Sequence, residues 1–385
     1  MKNSIKIILT IIVLSVLGSC EQWTETESKY EPGDISLGIN NDEAYYANLR
    51  AYKATMFDRK LSWGWFGGWT GVGASMLSSL NGLPDSLDIA AIWGDWRTMT
   101  DARKADLERT QKIKGTKVVV TELIGSFNWR GLAPEDIADE DVMNYWGWEG
   151  ELDPKGDYVS VTIGRLYTAM PTPAQEAAIR KYARTVAENI LSLGYDGYDI
   201  DYEIGWGSAG NLVEYSERLI IYVDELGKYM GPKSGTDKLL IFDGAICNVP
   251  EPIGPYCNLF VIQAYTSNSY NNLNTGINRF SGAVNAFKNV MSVEEIAKKT
   301  VMTEDYENSR ASTGGVNHTL ESGEVTNSVK GMALWQPTYN GVKYERSGGF
   351  GAYHIEYEYN SVGKISGFYP WIREAIQTVN PAAAE

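Results

Sequence analysis

Asp196-Gly197-Tyr198-Asp199-Ile200-Asp201-Tyr202-Glu203 alternates acids with bulky apolar residues at a period of two. In a strand, residues i, i+2 and i+4 share a face. Asp199, Asp201 and Glu203 therefore point one way, and Tyr198, Ile200 and Tyr202 the other. The aromatic and aliphatic face suits packing beneath a layer of helices, so the acids belong to an interior. Successive carboxylates on one face lie ~7 Å apart, and a buried row of three cannot ionise freely. At least one must keep its proton near neutral pH, which is how a protein obtains a carboxylic acid able to donate one. A hard cation is the other occupant of such a row, but it needs further oxygen ligands. No metal and no other cofactor is expected.

Outward from this octet, short apolar runs alternate with amphipathic stretches. The runs are Lys60–Trp69, Leu87–Trp96, Lys117–Phe127, Gly197–Gly205, Lys238–Ala245, Leu259–Thr266, Thr300–Tyr306 and Gly349–Tyr357. Thr172-Pro173-Ala174-Gln175 is a capping box with Pro at the first helical position. Ala178, Tyr182, Val186 and Ile190 then recur at helical spacing, and Gly194 fits the stop. Further helices are expected from about Asn211, over Asp101–Lys114 and over Trp371–Val379. Eight strands alternating with helices predict an α/β fold, a single (β/α)8 TIM barrel. A Gly-rich nucleotide loop, which an open doubly wound sheet would carry, is absent. Residues 128–171, with Trp129, Trp146 and Trp148, exceed any short loop; they either shape the active-site face or pack as a decoration.

Lys2 and Lys6 precede a short apolar run, Ile7 to Leu17, ending in Leu17-Gly18-Ser19-Cys20. This resembles a bacterial lipoprotein signal. It implies cleavage after residue 19, a lipid on Cys20 and an outer-membrane protein facing the medium. Residues 20–45 then read as an acidic tether and 46–385 as the barrel domain. Net charge is −15, which disfavours nucleic acid, since phosphates need clustered Lys and Arg. Only two His are present, His318 and His354, which excludes a His-rich metal centre. The 12 Trp and 24 Tyr suit a large core and also a sugar-binding cleft. Cys247 and Cys257 fall at opposite ends of neighbouring parallel strands, beyond the ~7 Å reach of a disulfide, and are expected as thiols.

The octet resembles the Asp-Gly-x-Asp-x-Asp-x-Glu signature of glycoside hydrolase family 18, the chitinases and endo-β-N-acetylglucosaminidases, at every fixed position and on the expected fourth strand. The resemblance implies substrate-assisted, retaining hydrolysis. Glu203 would protonate the glycosidic oxygen, Asp201 would hold the substrate's acetamido N–H, and Asp199 would share a proton with Asp201. Gln263-Ala264-Tyr265 replaces the chitinase Met-x-Tyr-Asp and looks more like the endo-β-N-acetylglucosaminidase branch. Tyr265 would then donate to the acetamido oxygen, or else serve only in packing, and Gln263 would contact the −1 sugar. On the eighth strand no Trp is present, and Tyr353 falls nearest to its place. Trp63, Trp65, Trp93, Trp96 and Glu304 lie near strand ends; Trp63, Trp96 and Glu304 are expected in the cleft. Glu122 either faces the cleft or is a packed or paired glutamate.

The residues support two enzyme readings and one non-enzyme reading. The first is a monomeric enzyme cutting the GlcNAc–GlcNAc core of N-glycans on glycoproteins, supported by Gln263-x-Tyr265 and the missing strand-eight Trp. The second is a chitinase, which would be expected to carry a long aromatic groove or a chitin-binding module. The third is a non-catalytic glycan-binding barrel, but such relatives typically lose the proton donor, and Glu203 is present.

Overall fold

The computed structural model describes residues 43–73, 75–160 and 165–381. The expected signal peptide, Cys20 and most of the tether lie outside the described residues. Each of the eight apolar runs contains one strand: β1 Leu61–Phe66, β2 Ile89–Trp93, β3 Lys117–Leu123, β4 Gly197–Tyr202, β5 Leu239–Gly244, β6 Leu259–Gln263, β7 Thr300–Asp305 and β8 Gly349–Tyr353. All pair in parallel, each with its sequence neighbours, and β8 closes on β1 to complete the barrel. Closure leaves no open sheet edge. The strands are shorter than the runs because several runs continue into the loops at the barrel mouth.

The period-two alternation sorts the side chains into two cores. Tyr198, Ile200 and Tyr202 turn outward into the layer between strands and helices, where each is 0% exposed. The lower barrel interior is apolar, filled by Leu61, Trp63, Ile89, Ala91, Val119, Leu239, Ile241, Leu259, Val261 and Val301. Trp63 belongs to this plug. Its Cβ and backbone lie beside Gly351 of β8, whose missing Cβ would sit 2.7 Å from the Trp63 Cβ and 2.3 Å from its carbonyl oxygen. A side chain at either glycine of β8 would collide with the backbone of β1, so this strand gives up its interior volume to the tryptophan.

The helix Pro173–Ser192 begins with the expected capping box, in which Thr172 accepts from the Gln175 N–H and Gln175 accepts from the Thr172 N–H. Gly194 follows at φ +90°, a conformation glycine adopts at low cost. The helix expected from Asn211 starts later, at Ser216; Asn211–Tyr215 stay in turns because Arg218 holds the Asn211 carbonyl. An N-terminal helix, Glu43–Ala54, begins inside the stretch expected as tether. Tyr45 is buried and its hydroxyl donates to Asp85 at 3.0 Å, so the folded domain takes in residues 43–45. In the 128–171 segment, Trp129 stacks on Phe127 at 4.3 Å, and Trp129 and Trp146 both pack edge-on to Tyr182. Its tryptophans are buried against the Pro173–Ser192 helix and offer no open ring. Among the described residues, no helix is long and apolar enough to cross a membrane.

Candidate active site

Above the apolar plug the interior turns polar. Asp199 and Asp201 rise along β4, and Glu203 follows at its C-terminal end. Asp199 is fully buried. Its Oδ2 accepts from Thr121 Oγ1 at 2.7 Å and from the Trp65 indole N–H at 3.0 Å. Thr121 and Asp199 are register partners across β3 and β4, so the donor is fixed by the sheet itself. Burial pushes the Asp199 carboxyl up to about 6, opposed by the hydrogen bonds from Thr121, Trp65 and Asp243. Asp201 is pushed up to about 8, first by burial and then by the charges of Glu203 and Asp199. A partly buried row of this kind keeps protons near neutral pH, as alternation along one strand requires.

A fourth acid joins them. Asp243 of β5 is the register partner of Asp201, is 1% exposed, and accepts from Gln263 Nε2 at 3.0 Å. The motifs of the sequence do not single it out. The available signal was a single acid in an otherwise apolar strand, two positions after interior Ile241.

Glu203 stands where the strand gives way to a tight loop. Its carbonyl accepts from the N–H groups of Trp206, Gly207 and Ser208, and its own N–H donates to Ser208 Oγ. The carboxylate opens onto a hollow of about 490 Å³ shared with Trp206, Gln263, Tyr265, Asn278 and Arg279. Trp206 is 54% exposed there. A second hollow, about 310 Å³, reaches Asp201 from between the loops after β2 and β3.

Tyr265 lies just beyond β6. Burial, then the charges of Asp243, Asp201 and Glu203, push its hydroxyl well above the ordinary range, so it remains a donor. Its ring stacks parallel to Tyr353 at 6.1 Å. Tyr353 in turn meets Trp65 edge-on at 6.2 Å and Trp93 at 5.4 Å. Trp65, Trp93, Tyr265 and Tyr353 thus form an aromatic wall beside the acids. Neutral donors, protonatable acids and flat rings around one opening suit a pyranose and proton transfer to an oxygen on it.

The sequence matches the description of glycoside hydrolase family 18, BT1044-like, over residues 24–163 and 166–378. The chain belongs to this family. A family 18 chain of this kind is a glycoside hydrolase. Among curated proteins it resembles endo-β-N-acetylglucosaminidase F2 of Elizabethkingia meningoseptica, 26% identical over 210 residues, 54% of this chain. That match spans half the length of the relative. Among solved structures, BT1044 in a glutamate-to-glutamine variant superposes with a TM-score of 0.65 at 24% identity, over 88% of this chain and 94% of that one. An endo-β-N-acetylglucosaminidase from Cordyceps militaris gives 0.54 at 21% identity, over 89% and 98%. At these identities the two structures bear on the fold.

Three residues expected in this family 18 cleft lie elsewhere. Trp63 sits in the apolar plug: it is the third residue of β1, in register with Ile89 at the start of β2, which places it below the mouth. Trp96 is 2% exposed, packed edge-on to Tyr195 at 6.2 Å beneath the Arg97 guanidinium. It borders the smaller hollow but leaves no ring face for a sugar. Glu304 turns out of the barrel and is buried, accepting from the Thr266 and Asp305 N–H groups at 2.7 and 2.8 Å and from the Ser328 hydroxyl. An even–odd count along β7 accounts for this, since Thr303 and Asp305 face inward. Glu304 nonetheless fixes Thr266, at φ +55°, immediately after Tyr265. Glu122 also faces the helices, paired with Arg97 at 2.8 Å and 3.4 Å from the Tyr198 hydroxyl; it reaches only the rim of the smaller hollow. Cys247 and Cys257 are both thiols, Cys257 buried.

Proposed function

We propose that this family 18 hydrolase is an endo-β-N-acetylglucosaminidase that cleaves the GlcNAc-β1,4-GlcNAc core of N-linked glycans with assistance from the substrate. The observation that carries the reading is the ladder Asp199–Asp201–Glu203 facing Gln263 and Tyr265 across one opening. Glu203 gives its proton to the glycosidic oxygen as the bond to the anomeric carbon breaks. The acetamido carbonyl oxygen of the −1 sugar attacks that carbon and closes an oxazolinium ring. Asp201 accepts the acetamido N–H, whose acidity grows as the ring forms, and the Tyr265 hydroxyl donates to the acetamido oxygen as the carbonyl is polarised. Water then opens the ring, and Glu203 takes the water's proton. Asp201 shares a strand with Glu203 and lies below it, a poor position for attack on the opposite face of the sugar. An acetamido group inside the same sugar reaches that face with the advantage of proximity.

Gln263 supports the N-glycan over chitin, as does the similarity to endo-β-N-acetylglucosaminidase F2. The Cordyceps enzyme has also been solved, as a mutant, in complex with fucosyl-N-acetylglucosamine-Asn. In this reading Cys20 carries a lipid that tethers a monomer to the outer membrane, with glycoproteins of the medium as substrate. The test is release of glycan from a high-mannose and a complex glycoprotein, beside chitin oligosaccharides, with Glu203→Gln as control. Glycan release by the wild type, lost by several orders of magnitude in the variant, is expected. Turnover of chitin oligosaccharides alone would overturn the substrate, and an active Glu203→Gln would overturn the proton donor.

A further inference from the structure

Among the described residues, three buried carboxyl oxygens in the barrel meet no donor other than one another's carboxyl groups: Asp199 Oδ1, Asp201 Oδ1 and Asp243 Oδ2. Asp199 and Asp201 lie two residues apart on one face of β4, and Asp243 of β5 is the register partner of Asp201. A carboxylate oxygen only accepts, so three that face one another repel unless a proton lies between them. The surroundings indicate which acid holds it. Asp199 Oδ2 takes two donors, Thr121 and Trp65, the environment of an ionised group. Asp243 has one neutral donor, the Gln263 amide, on Oδ1. That leaves Oδ2 as its hydroxyl, with the other acids in front of it.

We propose that Asp243 is a positioning residue of this site, a buried carboxylic acid that keeps its proton and donates it toward Asp199 and Asp201. The proposal rests on the roles of Asp201 and Glu203 in the proposed hydrolysis. A neutral donor behind Asp201 lets that carboxylate turn toward the acetamido N–H without leaving its other oxygen unpaired in a buried site. The groups facing Asp243 are Asp199 and Asp201 on β4, and Gln263 and Tyr265 from β6. Burial first, and then the charges of Asp199 and Asp201, favour its neutral form, opposed only by the Gln263 hydrogen bond. The neighbours on β6 add no positive charge, so nothing there draws the proton away.

The test uses the whole enzyme and compares Asp243→Asn, which keeps a neutral donor, with Asp243→Leu, which keeps bulk and removes it. In the infrared, without substrate, the wild type should show the carbonyl stretch of a protonated acid at alkaline pH, and Asp243→Asn should lose it. Asp243→Asn should retain the wild-type pH profile, with kcat/KM within about tenfold. Asp243→Leu should lose on the order of 10²-fold in kcat and move the acid limb of kcat/KM upward, because Asp201 loses a donor to its charged form. If Asp243 were ionised, Asp243→Asn would remove a negative neighbour and move the acid limb downward; that result overturns the proposal. So does an unchanged infrared band in Asp243→Asn, or a Leu variant as active as the Asn variant. If the Leu variant does not fold, the band and the Asn profile still decide. The band is read without substrate, so a wild type inactive on N-glycans would refute the functional reading and leave this one standing.

Discussion

Gly207→Ala should disable this enzyme without touching any acid. A Cβ at Gly207 would stand 2.5 Å from Glu203 Oε2, with the next atoms of that side chain at 3.7 Å. Ordinary contact begins at 3.4 Å, so the carboxylate must retreat by about 0.9 Å. The glycine is exposed, and it is not among the positive-φ residues. Alanine is therefore tolerated by the backbone, and the smaller entropy of the unfolded chain stabilises the variant by about 0.4–1 kcal/mol. The entire effect falls on where the proton is delivered. A misplacement of about 1 Å can cost on the order of 10²-fold, or about 2.7 kcal/mol of transition-state stabilisation. The assay pairs kcat/KM for glycan release from a glycopeptide with thermal unfolding of the same sample. Lost activity with an equal or higher Tm is expected. A variant within about threefold of wild type, well short of the 10²-fold expected, would mean that Glu203 does not act from the position its loop gives it. A lower Tm would mean that the strain is taken by the fold rather than by the carboxylate.

Tyr265→Phe should lower kcat by less than Glu203→Gln does, since one hydrogen bond to a growing charge is lost; steady-state kinetics check this, and a change confined to KM would make the tyrosine a binding group only. Asp201→Asn should gain stability relative to the wild type as pH rises. The Asp201 carboxyl lies near 3.8 ordinarily and about 8 in the fold, so the folded protein holds a proton across that window which the unfolded chain has released. The stabilisation from that proton is complete below 3.8 and lost as pH rises through about 8. Asparagine carries no such loss, so its Tm advantage at pH 8 should exceed that at pH 5 by about 2 °C or more, and equal shifts in two thermal scans would contradict it. Hydrolysis should proceed with retention, a thiazoline analogue of GlcNAc should inhibit, and a plain 2-hydroxyl at the −1 sugar should not turn over. An α-anomer as first product by NMR, or a sugar ester on any acid by mass spectrometry, would rule out the assisted route.

Alternation along a single strand is local chemistry, and the sequence by itself determined every feature that depends on it. The ladder of Asp199, Asp201 and Glu203, the outward packing of Tyr198, Ile200 and Tyr202, the eight strands and the capping box at Thr172 all rest on spacings within a few residues. The signature octet named the family for the same reason, and Gln263-x-Tyr265 pointed to one branch of it. Depth and facing were decided only by the tertiary structure. Whether Trp63 lies at the mouth or in the plug depends on where β1 starts relative to Gly351 of β8, a contact across 288 positions of chain that no local pattern encodes. Glu304 was misplaced by one step, and one step along a strand exchanges the barrel interior for the helix layer; for Glu122, left open between cleft and pairing, the structure decides for the ion pair with Arg97. Asp243 was invisible for the complementary reason. A lone acid in an apolar strand means little until closure of the sheet sets it opposite Asp201, where three buried carboxyls must share what protons they have.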